Sequence, residues 1–301
     1  MHAENRAYLE LHLAIILWGF TAILGDLIQL SALQLVWWRV LLTSLSLLPL
    51  IRLASFVREV PRRTILRFAG IGILIGLHWV CFYGSIKLAN ASVSLICMAT
   101  TSFFVSLLEP LFLRTRFRWL ELGLGLLIIP GIMLIVDGTA ASMNAGIWVG
   151  LLSALLAAAF TALNKKYIND IDPARITFIE MTSAWLFLCP VVLIIQWSTE
   201  PTSVFWPSPK DWVYLIVLAL LCTTLAQWLA LRALRHLSAF VSTLSINLEP
   251  VYGIAMAWFL LDDAQELGPK FLLGGGLILF VIFSYPVIRR VLRQQKKRRA
   301  A

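Results

Sequence analysis

Charged residues are scarce in this chain, because Asp, Glu, Lys and Arg together make up 14% of its 301 residues. An average soluble domain carries about 25%. Hydrophobic residues account for 60% of the sequence, and the mean hydropathy is +0.85. This balance excludes a water-soluble globular enzyme and indicates a protein that resides in a membrane.

The motifs of soluble catalysts and pumps are also missing. No Gly-rich Walker loop is present, so the chain alone is not expected to drive pumping with ATP. His, Asp and Cys residues do not fall at metal-ligand spacing, and we expect neither a metal nor another cofactor. The four cysteines lie within apolar stretches without Cys-x-x-Cys spacing, which indicates packing residues: Cys81, Cys97, Cys189 and Cys222.

Long apolar stretches are what the sequence has in abundance. Ten of them have about the twenty residues that a helix needs to cross a bilayer. Because lipid offers no hydrogen bonds to the backbone, and because the stretches lack two-residue alternation, they are predicted to be helices and not barrel strands. The expected fold is an all-α integral membrane protein with ten spans at about 11–28, 33–53, 68–86, 91–113, 119–136, 146–166, 175–196, 212–233, 238–260 and 268–287.

The placement of Lys and Arg predicts the orientation of these spans. If both termini are cytoplasmic, 21 of the 25 basic residues fall on the cytoplasmic side. The opposite side receives only Lys87, Lys210 and Lys270, and Arg39 lies inside a span. Short loops rich in Lys and Arg are retained in the cytoplasm, so the net charge of +9 reflects topology and does not indicate a nucleic-acid partner.

The second half of the chain resembles the first. A shift of 140 residues lays Gly19-Phe20-Thr21 on Ala159-Phe160-Thr161, and a shift of 148 lays Ala91, Val93, Ser94 and Leu113 on Ala239, Val241, Ser242 and Leu261. Each half holds five spans, and because five is odd the second copy must be inverted. We predict repeats at 11–136 and 146–287, followed by a basic cytoplasmic tail at 288–301. Inverted repeats are typical of alternating-access transporters, whose site lies at the repeat interface.

Several motifs resemble those of a known family. They are Trp18-Gly19 in the first span, an Arg near the start of the second, Leu248-Glu249-Pro250 in the ninth, and Trp258-Phe259-Leu260-Leu261 before the acidic pair Asp262-Asp263. With the two five-helix repeats, residues 11–287 resemble an EamA-type permease of the drug/metabolite transporter superfamily. The resemblance implies a multi-pass carrier of the bacterial inner membrane that exports amino acids or related small metabolites.

The ninth span carries a polar stripe with a carboxyl group near its middle. Polar residues spaced by three and four share one helix face, and in lipid that face must turn inward: Ser242, Ser245, Glu249 and Tyr252. The shift of 148 puts Ser94, Cys97, Thr101 and Phe104 on the matching face of the fourth span. Glu249 is the leading substrate-binding candidate. The alternative is that the Glu249 carboxyl is permanently hydrogen-bonded to a neighbouring helix, with a kink at Pro250 that makes room for the contact.

The third span offers His78 and Trp79 near mid-membrane, with Phe82 on the same face as His78. Histidine can donate to a substrate carboxylate or carry a coupling proton, although a lone intramembrane histidine is also often a packing residue. The eighth span matches this region with Thr223, Thr224 and Gln227, which favours a shared cavity. The predicted aromatic walls are Trp18, Trp79 and Tyr83.

Arg39 and Glu180 occupy inversion-related positions, each about 9 Å inside its helix. We predict that they serve opposite gates. The alternative for Glu180 is a local bond to a Lys or Arg at the cytoplasmic rim.

The sequence favours a secondary carrier that rocks its two repeats around a central cavity. Its expected partners are a small-molecule substrate, the lipid bilayer and a coupling proton, and monomer and homodimer are both open. The alternative is an intramembrane enzyme acting on a lipid or lipid-linked group, with His78 and Glu249 as acid and base. A third reading is a scaffold or sensor, which would need no central polar cavity.

Overall fold

The computed structural model describes residues 3–51, 56, 58–117, 123, 127–198, 205–237, 245–246, 248–261 and 268–300. Their regular elements are all helical. The α-helices are α1 (Ala3–Leu27), α2 (Ala32–Leu47), α3 (Arg62–Leu88), α4 (Ala91–Ala99), α5 (Thr101–Leu113), α6 (Ile128–Gly138), α7 (Asn144–Tyr167), α8 (Pro173–Ser198), α9 (Pro209–Ala219), α10 (Ala226–His236), α11 (Leu248–Leu260) and α12 (Pro269–Ala300). A π-helical turn, Leu220–Leu225, joins α9 to α10.

Seven helical stretches are long and apolar enough to cross a bilayer: Asn5–Leu27, Ala32–Leu50, Arg62–Leu88, Ala91–Leu113, Ala141–Tyr167, Pro173–Ile195 and Pro209–His236. Shorter apolar helices fall at the three remaining predicted spans, and they are Ile128–Gly138, Val251–Leu260 and Pro269–Val281. The expected all-helical fold is thereby confirmed for the described residues, whereas the total of ten spans stays a prediction.

The outer faces of the bundle are apolar. Large side chains such as Leu13, Leu193 and Phe280 are exposed on α1, α8 and α12, at 45%, 69% and 71% of their surface. On a water-soluble protein such a surface would favour aggregation. In a bilayer it contacts lipid tails, which are as apolar as the side chains themselves.

Hydrogen-bonded caps fix where the helices begin. At α2 the Ser31 hydroxyl accepts from the Gln34 amide, while the Gln34 side chain accepts from the Ser31 amide. Ser208 and Asp211 form the same reciprocal cap at α9. Asp211 also accepts from the Gln29 amide at 2.9 Å, which binds the start of α9 to the turn after α1. These caps satisfy backbone amides that the first turn of a helix leaves unpaired.

Helix α3 lies at the centre of the bundle, packed along α7 and α8. Helix α1 packs against α10 and α11, and α2 packs against α8. Helices α6 and α12 form a peripheral pair, which meets α4 and α7 through a separate apolar cluster that includes Ile96, Ile135, Ile147 and Ile278. The bundle therefore has a central group of helices with one helix pair attached to its side.

Contacts of α1 identify the two ends of the bundle. Leu237, just after α10, packs with Ala7 and Leu11 near the beginning of α1. The other end of α1 meets the end of α3, where the Lys87 ammonium donates to the carbonyl of Ile28 at 2.6 Å. Most of the described ion pairs lie at the first end: Arg6–Glu10, Arg232–Glu10, Arg67–Asp170, Arg175–Glu59 and Arg175–Asp172.

The contact between α6 and α12 depends on a glycine. A Cβ added at Gly274 would lie 2.5 Å from the carbonyl oxygen of Gly131 and 2.9 Å from a carbon of Ile135. A Cβ added at Gly276, on the same helix, would meet nothing within 4 Å.

We expect Gly274→Ala to lower the thermal unfolding midpoint of the purified protein, because the added methyl forces α6 and α12 apart at a cost of about 1–3 kcal/mol. Gly276→Ala is the matched control. It should leave the midpoint unchanged or raise it slightly, since alanine favours helix over glycine by about 1 kcal/mol. Equal midpoints for the two variants would contradict the close contact.

Candidate functional site

A cavity of about 140 Å³ lies inside the bundle. Its size is that of a cavity able to hold a benzene-sized molecule. Helices α1, α2, α3, α4 and α5 contribute lining residues from the first half of the chain, and α7, α10 and α11 contribute them from the second. Its polar and aromatic wall consists of Trp18, Thr21, Arg39, His78, Trp79, Phe82, Thr101, Phe160, Thr161, Asn164, Lys165, Gln227 and Glu249, and its apolar wall includes Leu11, Ile75, Met98, Val105, Leu231 and Ile246.

Arg39 is the most elaborately held side chain of this wall. It is 1% exposed. Its Nε donates to the hydroxyl of Thr223 at 2.7 Å, and its Nη1 donates to the hydroxyl of Tyr83 at 2.7 Å. The guanidinium carbon lies 3.8 Å from the ring centroid of Trp79, which places the cation against the aromatic face. Three neighbours from α3 and the π-helical turn thus fix the guanidinium in one orientation.

The π-helical turn is what brings Thr223 to Arg39. The hydroxyls of Thr223 and Thr224 donate to the carbonyls five residues earlier, Leu218 and Ala219, at 2.7 and 3.0 Å. Thr224 also lies 2.7 Å from the hydroxyl of Ser46 on α2. A π-helical turn widens the helix locally and is frequent at functional sites. In this chain it binds α2 to the eighth predicted span at the depth of the cavity.

A second polar contact joins α3 to α7. The His78 Nδ1 lies 3.0 Å from the carbonyl oxygen of Ser153, and the Ser153 hydroxyl donates back to the His78 carbonyl at 3.0 Å. The Ser153 hydroxyl also lies 2.8 Å from the same ring nitrogen, so Ser153 contacts the His78 ring with both its carbonyl and its hydroxyl. The His78 ring packs 5.3 Å from the ring of Phe160, centroid to centroid.

Glu249 and Lys165 add one charge of each sign to the wall. Glu249 lies in the first turn of α11 and interacts electrostatically with Arg39 and Tyr83. The Lys165 ammonium donates to the carbonyls of Leu234 and Leu237 at 3.1 and 3.3 Å, at the end of α10. The cavity is therefore amphoteric, and its lysine is already engaged by the protein.

Glu180 lies just behind the wall. It is fully buried on α8, and neither of its carboxyl oxygens has a hydrogen-bond partner among the described residues. The cavity-lining amides of Asn164 and Gln227 interact with it electrostatically without reaching hydrogen-bond geometry. In the described part of the chain no Lys or Arg lies within 4.0 Å of Glu180, so the bond to a basic residue at the rim is not found there.

The cavity brings together most of the residues that the sequence singled out: Trp18, Arg39, His78, Trp79, Phe82, Thr101, Gln227 and Glu249. Others lie elsewhere. Tyr83, predicted as an aromatic wall, and Thr223 contact Arg39 but are not part of the wall. The Ser94 hydroxyl is fully buried and donates to the Phe82 carbonyl at 3.1 Å. Ser245 is partly buried and is not part of the wall, and Glu180 sits behind it. Ser242, Asp262 and Asp263 are outside the described residues.

Sequence reasoning missed the contribution of α7, which supplies Phe160, Thr161 and Asn164. One signal for it was present. The shift of 140 residues aligns Thr21 with Thr161, and both threonines line the cavity. The partners of Arg39 were not predicted either, since no local spacing relates Arg39 to Tyr83 or Thr223.

Comparison with known proteins identifies the family. The EamA-like transporter family matches residues 5–137 and again residues 144–285, so the chain belongs to this family. It is thus a membrane transporter with a small-molecule substrate, and not an enzyme. The uncharacterized transporter YxxF of Bacillus subtilis (strain 168) is 21% identical over 290 residues, which are 92% of this chain and 90% of that protein.

A solved crystal structure shares the fold. It matches 96% of this chain and 99% of its own chain with a TM-score of 0.64 and 15% sequence identity. The similarity extends over the whole bundle and not over one half of it.

Cysteine labelling can check the wall of the cavity. In a chain whose four native cysteines are replaced by alanine, Thr101→Cys should react with a water-soluble thiol reagent, because residue 101 lines the cavity. Ser94→Cys is the matched control on the same predicted span, and it should stay unlabelled because Ser94 is fully buried. Labelling of both at equal rates would contradict the described wall.

Proposed function

We propose that this chain is a secondary transporter that exports amino acids or related small metabolites by alternating access. The observation that carries the proposal is the central cavity, whose wall comes from both ranges matched by the family. Residues 5–137 supply Arg39, His78 and Trp79, and residues 144–285 supply Asn164, Gln227 and Glu249. A site divided in this way changes its exposure when the two halves move against each other.

The two successive family matches support a pair of repeats, each of five spans, and hence ten spans in all. Five spans per repeat make the second repeat inverted. The excess of Lys and Arg in alternate loops supports cytoplasmic termini. The similarity to a transporter of Bacillus subtilis supports a bacterial cytoplasmic (inner) membrane as the location.

The charges of the wall support an amphoteric substrate. Arg39 offers hydrogen-bond donors, whereas Glu249 offers acceptors and attracts cations. Trp18, Phe82 and Phe160 give the cavity an apolar, aromatic part that suits a small side chain. Glu249 is also the candidate for carrying the coupling proton, since a substrate cation and a proton would compete for one carboxylate.

Two lysines hold helix ends together at opposite ends of the bundle, and alternating access requires each end to open in turn. Lys87 donates to the carbonyls of Asp26 and Ile28 at the end of α1, and Lys165 donates to the carbonyls of Leu234 and Leu237 at the end of α10. Each lysine therefore ties together the first and third predicted spans of its own half, at opposite ends of the bundle. We assign the two lysines as latches, each of which holds together two helix ends of one half at one side of the bundle. Arg39 and Glu180 stay the residues predicted to serve opposite gates.

The transporter is tested first by counterflow in proteoliposomes, with a panel of amino acids, amino-acid analogues, amines and organic cations. We expect exchange of at least one amino acid. Glu249→Gln and His78→Ala should each reduce it at least tenfold at unchanged protein content. Glu59→Gln, which changes an exposed carboxylate, is the matched control and should exchange normally. No exchange of any compound would overturn the proposal.

Coupling is tested in the same vesicles with an imposed pH gradient. If Glu249 carries the proton, the gradient should drive net transport, and Glu249→Gln should abolish that drive. Arg39 and Tyr83 interact with Glu249, and His78 and Lys165 line the same cavity, so variants of these four residues belong in the same comparison. Equal gradient dependence of wild type and Glu249→Gln would remove Glu249 from the coupling step.

The latches make a directional prediction. Lys165→Met should increase labelling of Thr101→Cys severalfold from the side of the bundle where α10 ends, because it frees the ends of α7 and α10 from each other. Lys87→Met should increase labelling from the other side, because it frees the ends of α1 and α3. Lys210→Met serves as the control, since Lys210 is exposed and lies outside both latches. Impermeant reagents on right-side-out and inside-out vesicles give the measurement, and labelling unaffected by either change would exclude the latches.

A further inference from the structure

Glu180 carries a carboxyl group that is buried behind the cavity wall. The residue is 0% exposed, and both of its carboxyl oxygens lack a hydrogen-bond partner among the described residues. An ionised carboxylate without partners is costly inside a membrane, because the group has lost its water and has gained no bond in return. The carboxyl therefore needs a positive charge that the described part of the chain does not supply.

Helix α3 closes one approach to this group. A Cβ added at Gly72 would overlap the Glu180 carbonyl oxygen and the Ser183 hydroxyl, so the backbone of α3 lies directly against α8 at this depth. Such close contact leaves no space for a water molecule between the two helices. An ion therefore cannot reach Glu180 between α3 and α8 at the level of Gly72.

Two amides connect Glu180 to the cavity. Asn164 on α7 and Gln227 on α10 both line the cavity, and both interact with the Glu180 carboxyl. Glu180 itself is not part of the lining. The two amides therefore stand between the cavity and the carboxyl, and a proton can pass from one to the other through them.

The amide oxygen of Asn164 shows what is missing from this cluster. Its Oδ1 is buried and, like the two Glu180 oxygens, has no partner in the described structure. All three atoms are acceptors, so none can satisfy another. One proton on Glu180 turns a carboxyl oxygen into a donor and gives the amide oxygen a partner. When the proton leaves, half a turn of the amide presents its N–H group to the carboxylate instead.

The charged groups around Glu180 are engaged elsewhere. Helices α2, α3 and α10 pack against α8, and α7 supplies Asn164. These four helices carry, close to the cavity, the titratable residues Arg39, His78, Tyr83, Lys165 and Arg232. Each of these five has a described partner other than Glu180. The described electrostatic interactions of Glu180 are confined to the two amides, so no neighbouring cation neutralises it there.

We propose that Glu180 is a proton-binding site behind the cavity wall, loaded and unloaded through the amides of Asn164 and Gln227. The site is separate from Glu249, the wall carboxyl that is the candidate for the coupling proton. A proton fits this cluster better than a hard metal ion, since Ca²⁺ and Mg²⁺ take about six oxygen ligands or more, whereas one carboxyl and two amides supply fewer.

The proton on Glu180 also determines what the wall offers to the cavity. With Glu180 ionised, the amide N–H groups of Asn164 and Gln227 turn toward the carboxylate and their oxygens face away from it. With Glu180 neutral, an amide oxygen turns toward the acid and its N–H group becomes available to the cavity. The site thus changes the donors and acceptors of the wall without touching a solute. Because it fills without a substrate, the inference does not rest on the proposed function.

Difference infrared spectroscopy on the purified full-length protein in lipid vesicles tests the site. The pH is stepped between about 5 and about 9, a range that covers the documented behaviour of buried glutamates, and the carbonyl stretch of protonated carboxyl groups is followed. We expect Glu180→Gln, which keeps the size of the side chain, to lack one glutamate's share of the band that the wild type loses as the pH rises. Glu249→Gln should retain that share.

Asn164→Leu provides a second measurement. Leucine is close to asparagine in size but offers no amide, so the carbonyl band of the neutral Glu180 side chain should shift in frequency. Asn144→Leu is the matched control, because Asn144 lies at the beginning of the same helix and also has a buried oxygen without a described partner. It should leave the band in place.

The inference is overturned if Glu180→Gln gives the wild-type difference spectrum, because the carboxyl then keeps one protonation state throughout. It is also overturned if the band follows the Na⁺ concentration at fixed pH, since the site then holds a metal ion. If Glu180→Gln does not fold, equal band positions in Asn164→Leu and Asn144→Leu overturn it. These results leave the transporter proposal untouched, because counterflow tests that proposal separately.

Discussion

A guanidinium held in the middle of a membrane-spanning bundle is the constraint on which the centre of this structure depends. Arg39 can stay at this depth only because other helices supply partners for it: a phenol and an aromatic face from α3, and a hydroxyl from the π-helical turn. Those partners join the second, third and eighth predicted spans. Arg39 also lines the cavity, so the same contacts that stabilise the bundle fix the position of a cation in the cavity wall.

Two of the predicted spans that line the cavity are interrupted by irregular backbone. The fourth predicted span is interrupted at Thr100, whose hydroxyl bonds to the Cys97 carbonyl, and Thr101 follows directly on the cavity wall. The eighth is interrupted by the π-helical turn that carries Thr223. Within lipid, backbone that departs from the regular helix must find other partners, and threonine hydroxyls provide them at both places. Both interruptions belong to spans that also line the cavity.

The sequence predicted the helices and most of the side chains that line the cavity. It did not predict which side chains contact one another. Hydropathy located the apolar stretches because the cost of exposing charge to lipid is large. Helical spacing grouped Ser94 with Thr101, yet the Ser94 hydroxyl turns to the Phe82 carbonyl and only Thr101 reaches the cavity. Spacing in the sequence shows which residues share a face of one helix. Which other helix packs against that face depends on how the whole bundle assembles. The alignment of Thr21 with Thr161 succeeded because it compared two related environments.

The ends of α1 and α10 are held by lysine ammonium groups on backbone carbonyls. A carbonyl oxygen is supplied by every residue type, so the side chains at Ile28, Leu234 and Leu237 are free to vary without loss of these bonds. Only the lysines are chemically required. The lysine bonds therefore constrain the residue type at Lys87 and Lys165 alone, whereas only apolar packing constrains it at Ile28, Leu234 and Leu237. In an ion pair, by contrast, the bond itself constrains both partners.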